Sequence, residues 1–143
     1  MRKLQILIAD DSAIVREAIA EYFRIAGHTV IEASTGREAV ALTKSNGFDA
    51  AILDIQMPEM SGLEAARHIR ESHSSLPILA LTGSPEMIGP AHRHLFAEIL
   101  TKPTSVQELT DAVSTYVVQG STSYTNDYSR FDAVGQRGKS ESP

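Results

Sequence analysis

Leu4-Gln5-Ile6-Leu7-Ile8-Ala9-Asp10-Asp11 decides the fold, together with its echo Ala50-Ala51-Ile52-Leu53-Asp54. Each is a short, mostly apolar run that stops at acid. Such a run, bounded by turn residues, reads as a strand covered on both faces rather than a half-wet antiparallel one. Two further runs behave the same way: residues 78–81 stop at Thr82, and residues 99–101 stop at Lys102. In an open parallel sheet, ligands bind at the carboxyl ends of the strands. If these runs share one sheet, three carboxylates, a hydroxyl and an ammonium converge on one small pocket.

Helical patterns fill the intervals. Ile14, Val15, Ala18, Ile19, Tyr22 and Phe23 repeat at helical spacing, with Gly27 as a stop. Residues 29–33 form another β-rich run. Residues 38–46 read as a helix with Ala39, Val40, Leu42 and Thr43 inward, closed by Gly47. A loop over 55–61 contains Pro58; Leu63, Ala66 and Ile69 then stand in register for a helix over 63–72. Val106, Leu109, Val113 and Val117 give a last helix. Five alternating β/α units imply an α/β fold with a parallel sheet covered on both faces, and right-handed crossovers leave few topologies. The fourth unit is untidy: Gly89 and Pro90 interrupt 84–96, which predicts an irregular or shortened fourth helix.

The bulk numbers agree with one domain. The chain has 143 residues, 42% of them hydrophobic, too many for a disordered protein. Its formal charge of −5 arises within residues 1–118, and there is no basic run, which argues against direct nucleic-acid binding. Without cysteine, disulfides, thiolate metal sites and cysteine nucleophiles are excluded. Met1-Arg2-Lys3 and the run after it faintly imitate a secretion signal, but the run is short, contains Gln5 and meets two aspartates. No stretch has the length of a membrane span, so the expected location is cytoplasmic. From residue 119 Gly, Ser, Thr, Asn and Asp dominate, and 119–143 reads as a flexible C-terminal tail on a domain of residues 1–118. Tyr124, Tyr128 and Phe131 recur there at helical spacing, as incidental aromatics or as a short docking helix.

The strand ends carry the chemistry. Three unpaired carboxylates at close quarters repel by amounts on the order of 1–4 kcal/mol each, depending on the local dielectric. Mg²⁺, which favours octahedral oxygen coordination by carboxylates, waters and phosphate, resolves this; Lys102 adds one more positive charge. A carboxylate also serves as a nucleophile on phosphorus, forming an aspartyl phosphate, and the transferring group needs its oxygens neutralised. Asp54, Lys102 and Thr82 supply nucleophile, ammonium and hydroxyl. Singly each has a bland reading: Asp11-Ser12 as a helix cap, Asp54 as a turn residue, Thr82 as loop chemistry, Lys102 as a solvated strand end. Their joint occurrence in this order is what points to phosphate.

Ala9-Asp10-Asp11-Ser12, then Leu53-Asp54-Ile55-Gln56-Met57-Pro58-Glu59-Met60-Ser61-Gly62, then Leu81-Thr82, then Thr101-Lys102-Pro103 resemble the receiver (response-regulator, CheY-like) domain of two-component signalling. The likeness covers about residues 3–118, and with Leu63-Glu64-Ala65-Ala66-Arg67 it is closest in style to receivers of hybrid kinases. It implies a flavodoxin-like, doubly wound five-stranded parallel sheet of order 2-1-3-4-5. It implies that Asp54 is the phosphoacceptor and that Asp11, Asp54 and the backbone carbonyl of Gln56 bind Mg²⁺, with Asp10 acting directly or through water. Lys102 would contact the phosphoryl group, Thr82 would move toward it, and the Lys102–Pro103 bond would be cis. The implied function is a phosphorelay switch that takes its phosphoryl group from a histidine kinase or histidine phosphotransfer domain and alters binding of a downstream protein target. It would be no enzyme beyond its own phosphorylation and dephosphorylation, and would be able to form a weak homodimer.

The sequence departs from the family pattern around the fourth and fifth strands. Ile99 stands three residues before Lys102, where receivers commonly carry an aromatic, and Leu95-Phe96 replace a usual Gly-Ala pair. Gln56 and Ser84, two residues beyond Asp54 and Thr82, flank the implied phosphoryl site and would tune how fast water removes the group. Two other readings compete. An aspartyl-phosphate phosphohydrolase uses the same nucleophile but places a second Asp where Gln56 stands. A phosphorylation-independent interaction module with a relic site is motivated by Ile99 and the interrupted fourth helix. His92 and His94 are close in sequence but lack a third ligand, and read as polar surface.

Overall fold

The structure, a computed structural model, describes residues 2–122, with side chains through residue 117. Strands and helices alternate: β1 (Gln5–Ala9), α1 (Ala13–Ile25), β2 (Thr29–Ala33), α2 (Gly36–Ser45), β3 (Ala50–Leu53), α3 (Gly62–Ser72), β4 (Ile78–Thr82), β5 (Glu98–Thr101) and α4 (Val106–Thr122). The strands form one sheet in the order β2-β1-β3-β4-β5, every pair parallel. This is the expected doubly wound, flavodoxin-like arrangement.

Alternation along each strand builds two cores. In β1, Ile6 and Ile8 face a cluster with Ala20 and Phe23 of α1 and Leu109 and Val113 of α4. Leu7 and Ala9 face the opposite cluster, with Ala39 of α2 and Ala65, Ala66 and Ile69 of α3. Because both faces are covered, neither parity of the strand can be polar, which is why the sequence shows unbroken apolar runs. Helix starts are written locally: the hydroxyls of Ser12, Thr35 and Ser61 accept the backbone N–H of Val15, Glu38 and Glu64. Ser105 and Glu108 exchange bonds at the start of α4, Oγ accepting at 3.0 Å and the carboxylate returning at 3.1 Å to the Ser105 N–H.

The α1 pattern is only partly inward. Ala20 and Phe23 pack on the sheet, whereas Ile14 is 83% exposed. Here α1 shares one face of the sheet with α4, and its flank of Ile14, Val15 and Ala18 opens on an apolar groove of about 620 Å³ whose other wall includes Leu81, Pro103 and Val106.

Between β4 and β5 the expected irregularity takes the form of two 3₁₀ turns, Pro85–Met87 and Arg93–Leu95. Ile88, Leu95 and Phe96 still bury themselves in the core beside α2 and α3, so the apolar cover of a full helix is partly reproduced. Arg70 at the end of α3 ties this segment down, donating to the carbonyls of His73, Ser74 and Leu76 and, at 2.7 Å, to that of Leu95. Arg93 donates to the Phe96 carbonyl. α4 runs on to Thr122; the rest of the expected tail, with Tyr124, Tyr128 and Phe131, lies outside the described residues. No helix among the described residues is long and apolar enough to cross a membrane.

Candidate functional site

The register of β1 against β3 pairs Ala9 with Leu53, so Asp10 and Asp54 leave the sheet side by side. Each is tied to the neighbouring strand, Asp10 N–H to the Ala33 carbonyl at 3.1 Å and Asp54 N–H to the Ala9 carbonyl at 2.9 Å. Asp10 and Asp54 are buried and Asp11 is exposed, and one carboxylate oxygen from each lies within 4.8 Å of the others. Among the described residues this is the grouping able to hold a metal ion, and it excludes His92 and His94.

Lys102 arrives from the end of β5. Its backbone N–H donates to the Thr82 carbonyl at 2.8 Å, and its Nζ donates to Asp10 Oδ2 at 2.8 Å and Asp54 Oδ2 at 3.3 Å. The Lys102–Pro103 bond is cis. Thr82 is fully buried at the end of β4, and its Oγ1 accepts the Ser84 N–H at 3.0 Å. Gln56 enters through its backbone N–H, which donates to Asp54 Oδ1 at 3.3 Å. Its side-chain oxygen accepts the Ser84 hydroxyl at 3.3 Å, so the loops after β3 and β4 meet over the strand ends. The structure therefore brings Asp10, Asp11, Asp54 and Lys102 together directly, with Thr82 and Gln56 alongside.

Burial pushes the Asp54 carboxyl up from its ordinary value; the Lys102 charge pulls it down, and the Asp10 charge pushes it up again, for a net rise. Burial alone would lower Lys102, but the hydrogen bond and charge of Asp10, seconded by Asp54, outweigh it and hold the ammonium charged. Close packing fixes the backbone here as well: a Cβ at Gly62 would overlap the Asp54 carbonyl oxygen, so α3 begins against the strand end only because residue 62 is glycine.

One contributor lay outside the sequence reading. Arg16 of α1 donates from Nη1 to the Asp10 carbonyl at 2.8 Å and from Nε to Glu32 of β2 at 2.9 Å. Two signals for it exist in the sequence. Arg16 is a cation in the first turns of a helix, where the macrodipole disfavours one, and Glu32 is a carboxylate within a short strand that must find a partner.

A doubly wound parallel sheet with acids after its first and third strands, a hydroxyl after the fourth and a lysine after the fifth defines the class: a receiver of two-component signalling. The chain belongs to the response regulator receiver domain family, whose pattern it matches over residues 6–114. It is 37% identical over 109 residues to the response regulator MprA of Mycolicibacterium vanbaalenii, covering 74% of this chain and 47% of that protein. It is 34% identical over 105 residues to the autoinducer 1 sensor kinase/phosphatase LuxN of Vibrio campbellii, covering 73% of this chain and 12% of LuxN. At 47% coverage, the chain spans about half the length of MprA. Among solved structures it resembles the response regulator TrrA of Thermotoga maritima, determined in complex with Mg(2+)-BeF. The TM-score is 0.74 at 31% identity, covering 80% of this chain and 99% of TrrA.

Proposed function

We propose that this receiver accepts a phosphoryl group on Asp54 from the phosphohistidine of a histidine kinase or phosphotransfer domain, and that the modified form changes its binding to a downstream protein. The observation that carries the reading is the Lys102 ammonium shared between Asp10 and Asp54 at 2.8 and 3.3 Å, beside an exposed third carboxylate. The all-oxygen donor set of Asp10, Asp11 and Asp54 fits Mg²⁺; Asp11, Asp54 and the Gln56 carbonyl are its ligands in this reading, with Asp10 direct or through water. Bound Mg²⁺ supplies charge neutralisation for the equatorial oxygens of the transferring group.

The chain's residues do the rest. An Asp54 oxygen forms the new P–O bond as the P–N bond to histidine breaks, and the imidazole leaves with that electron pair. Lys102, kept charged by its neighbours, turns from Asp54 toward the incoming phosphoryl oxygens. Thr82 exchanges its bond with the Ser84 N–H for one to the new anion. Gln56 and Ser84, bridged over the strand ends, set how readily water reaches the acyl phosphate. The chain thus catalyses only its own phosphorylation and dephosphorylation, and its proposed place of work is the cytoplasm. The proposed division is a receiver over residues 1–118 with a C-terminal tail after it.

Incubation with acetyl phosphate and Mg²⁺ should add the mass of one phosphoryl group, and Asp54→Asn should abolish the addition. An unchanged wild-type mass overturns the reading. The two 3₁₀ turns between β4 and β5 favour a second one, a module that binds its partner without phosphorylation. Wild-type partner affinity in Asp54→Ala, with phosphorylation lost, would select it.

A further inference from the structure

Asp10 is fixed at four points, and one of them is a cation from within α1. Its N–H donates to the Ala33 carbonyl at 3.1 Å, its Oδ1 accepts the Ser12 N–H at 2.9 Å, and its Oδ2 accepts Lys102 Nζ at 2.8 Å. Its carbonyl accepts Arg16 Nη1 at 2.8 Å. Asp10 is 2% exposed, so without Arg16 that carbonyl would lose its hydrogen bond in a nearly dry place. A long side chain on a helix points back over the preceding turn, which is how Arg16 reaches the strand end from within α1.

Arg16 is itself held. Glu32 Oε1 accepts its Nε at 2.9 Å, while Glu32 Oε2 accepts Arg24 Nη1 at 3.1 Å and Arg24 Nη2 donates to the Val30 carbonyl at 2.9 Å. The Arg16 and Glu32 side chains are only 14% and 23% exposed, so the pair is far less screened than a surface ion pair. The planar guanidinium serves a carboxylate with one edge and a carbonyl with another, which a lysine ammonium cannot copy in the same geometry.

We propose that Arg16, oriented by Glu32, is a positioning residue that holds the β1–α1 junction so that Asp10 and Asp11 present their carboxylates in the geometry Mg²⁺ requires. This rests on the metal-dependent phosphoacceptor reading above, and it concerns residues that touch neither metal nor phosphate. Groups of this kind behind metal ligands are worth about 10–100-fold in metal affinity.

The experiment compares wild type with Arg16→Met and Arg16→Lys, each first shown to be folded by its thermal midpoint. Mg²⁺ affinity is read by calorimetric titration. Acetyl phosphate labelling is followed against Mg²⁺ concentration, and amide hydrogen exchange at Asp10 and Ser12 is followed without metal. Arg16→Met should weaken Mg²⁺ about tenfold or more and shift the Mg²⁺ dependence of labelling to higher concentration, with the rate recovering at saturation. It should also speed exchange at Asp10 and Ser12 relative to Leu7 in mid-strand, and Arg16→Lys should restore only part of each effect. A folded Arg16→Met with wild-type Mg²⁺ affinity and unchanged exchange at Asp10 and Ser12 overturns the proposal, whatever its melting point. If Arg16→Met does not fold, Glu32→Gln decides, because it keeps an acceptor while removing the charge that orients Arg16. A smaller loss of the same kind supports the proposal, and wild-type behaviour overturns it. A wild type that takes no phosphoryl group defeats the phosphoacceptor reading alone, since the metal-free exchange still reports what Arg16 does to Asp10.

Discussion

Asp54 is costly to the protein that carries it. Burial and the charge of Asp10 disfavour its ionised form, and Lys102, shared with Asp10, compensates only in part. With its folded pKa raised, the group binds protons more readily folded than unfolded, so stability falls as pH climbs from the ordinary aspartate value through the raised one. At neutral pH and without metal, Asp54→Asn should therefore raise the melting midpoint. Differential scanning calorimetry in EDTA checks it, and a lowered midpoint would contradict the electrostatic account. Glu32 runs the other way. Burial pushes its carboxyl up, but hydrogen bonds from Arg16 and Arg24 pull it further down, to a net value below the ordinary 4.5. A depressed folded pKa gives stability that is present above the unfolded value and is lost as pH falls through the folded one. Glu32→Gln should thus flatten the acid limb of the stability curve below about pH 5 and leave the neutral-to-alkaline side parallel to wild type, as urea melts across pH would show.

At the scale of elements, what the sequence shows and what it hides have separate causes. The strands are legible because both faces of the sheet are covered, so Ile6 and Leu7, bound for opposite cores, are both apolar. The interruption at Gly89-Pro90 is legible as a break, but its replacement by two 3₁₀ turns is not, because they are anchored by a long-range bond from Arg70 to the Leu95 carbonyl, with a local one from Arg93 to that of Phe96. Ile14 misleads for a related reason: helical spacing says which residues share a face, not how much of that face the neighbouring α4 leaves uncovered. Joints between elements carry the sharpest predictions. A methyl at Gly62 would meet only backbone, the Asp54 carbonyl and the Ile55 Cα, so Gly62→Ala should destabilise by about 1–3 kcal/mol and slow labelling of Asp54 in the protein that remains folded. At the start of α4, Ser105→Ala removes the acceptor for the Glu108 N–H and should cost about 1 kcal/mol. Lys102 sits in the preceding segment but is bonded through Thr82, Asp10 and Asp54, so labelling in that variant should be unchanged.

At the scale of the whole molecule, the acidic cluster exists only because the chain is folded. Asp11 and Asp54 are 43 positions apart in sequence, and only the pairing of β1 with β3 sets their oxygens within 4.8 Å. The residue types of the site were legible because each ends an apolar run; for Arg16 the sequence signals only a helix cation and a strand carboxylate in need of partners, and the backbone carbonyl it holds has no sequence pattern. On the proposed metal-binding reading, a cluster absent from the unfolded chain holds Mg²⁺ only in the native state, so Mg²⁺ should stabilise folding by linkage. The gain grows with the logarithm of concentration once the site fills, reaching about 1.4 kcal/mol at ten times the dissociation constant and about 2.7 kcal/mol at a hundred times. The melting midpoint should therefore climb steadily with MgCl₂ and not with NaCl at matched ionic strength, since general screening acts on exposed charges rather than on a buried pair. Asp11→Asn should lose most of the climb without lowering the midpoint in EDTA, because it removes a like charge from the cluster and breaks no ion pair with Lys102. Equal slopes in MgCl₂ and NaCl, or a full Mg²⁺ response in Asp11→Asn, would show that the three carboxylates do not act as one site.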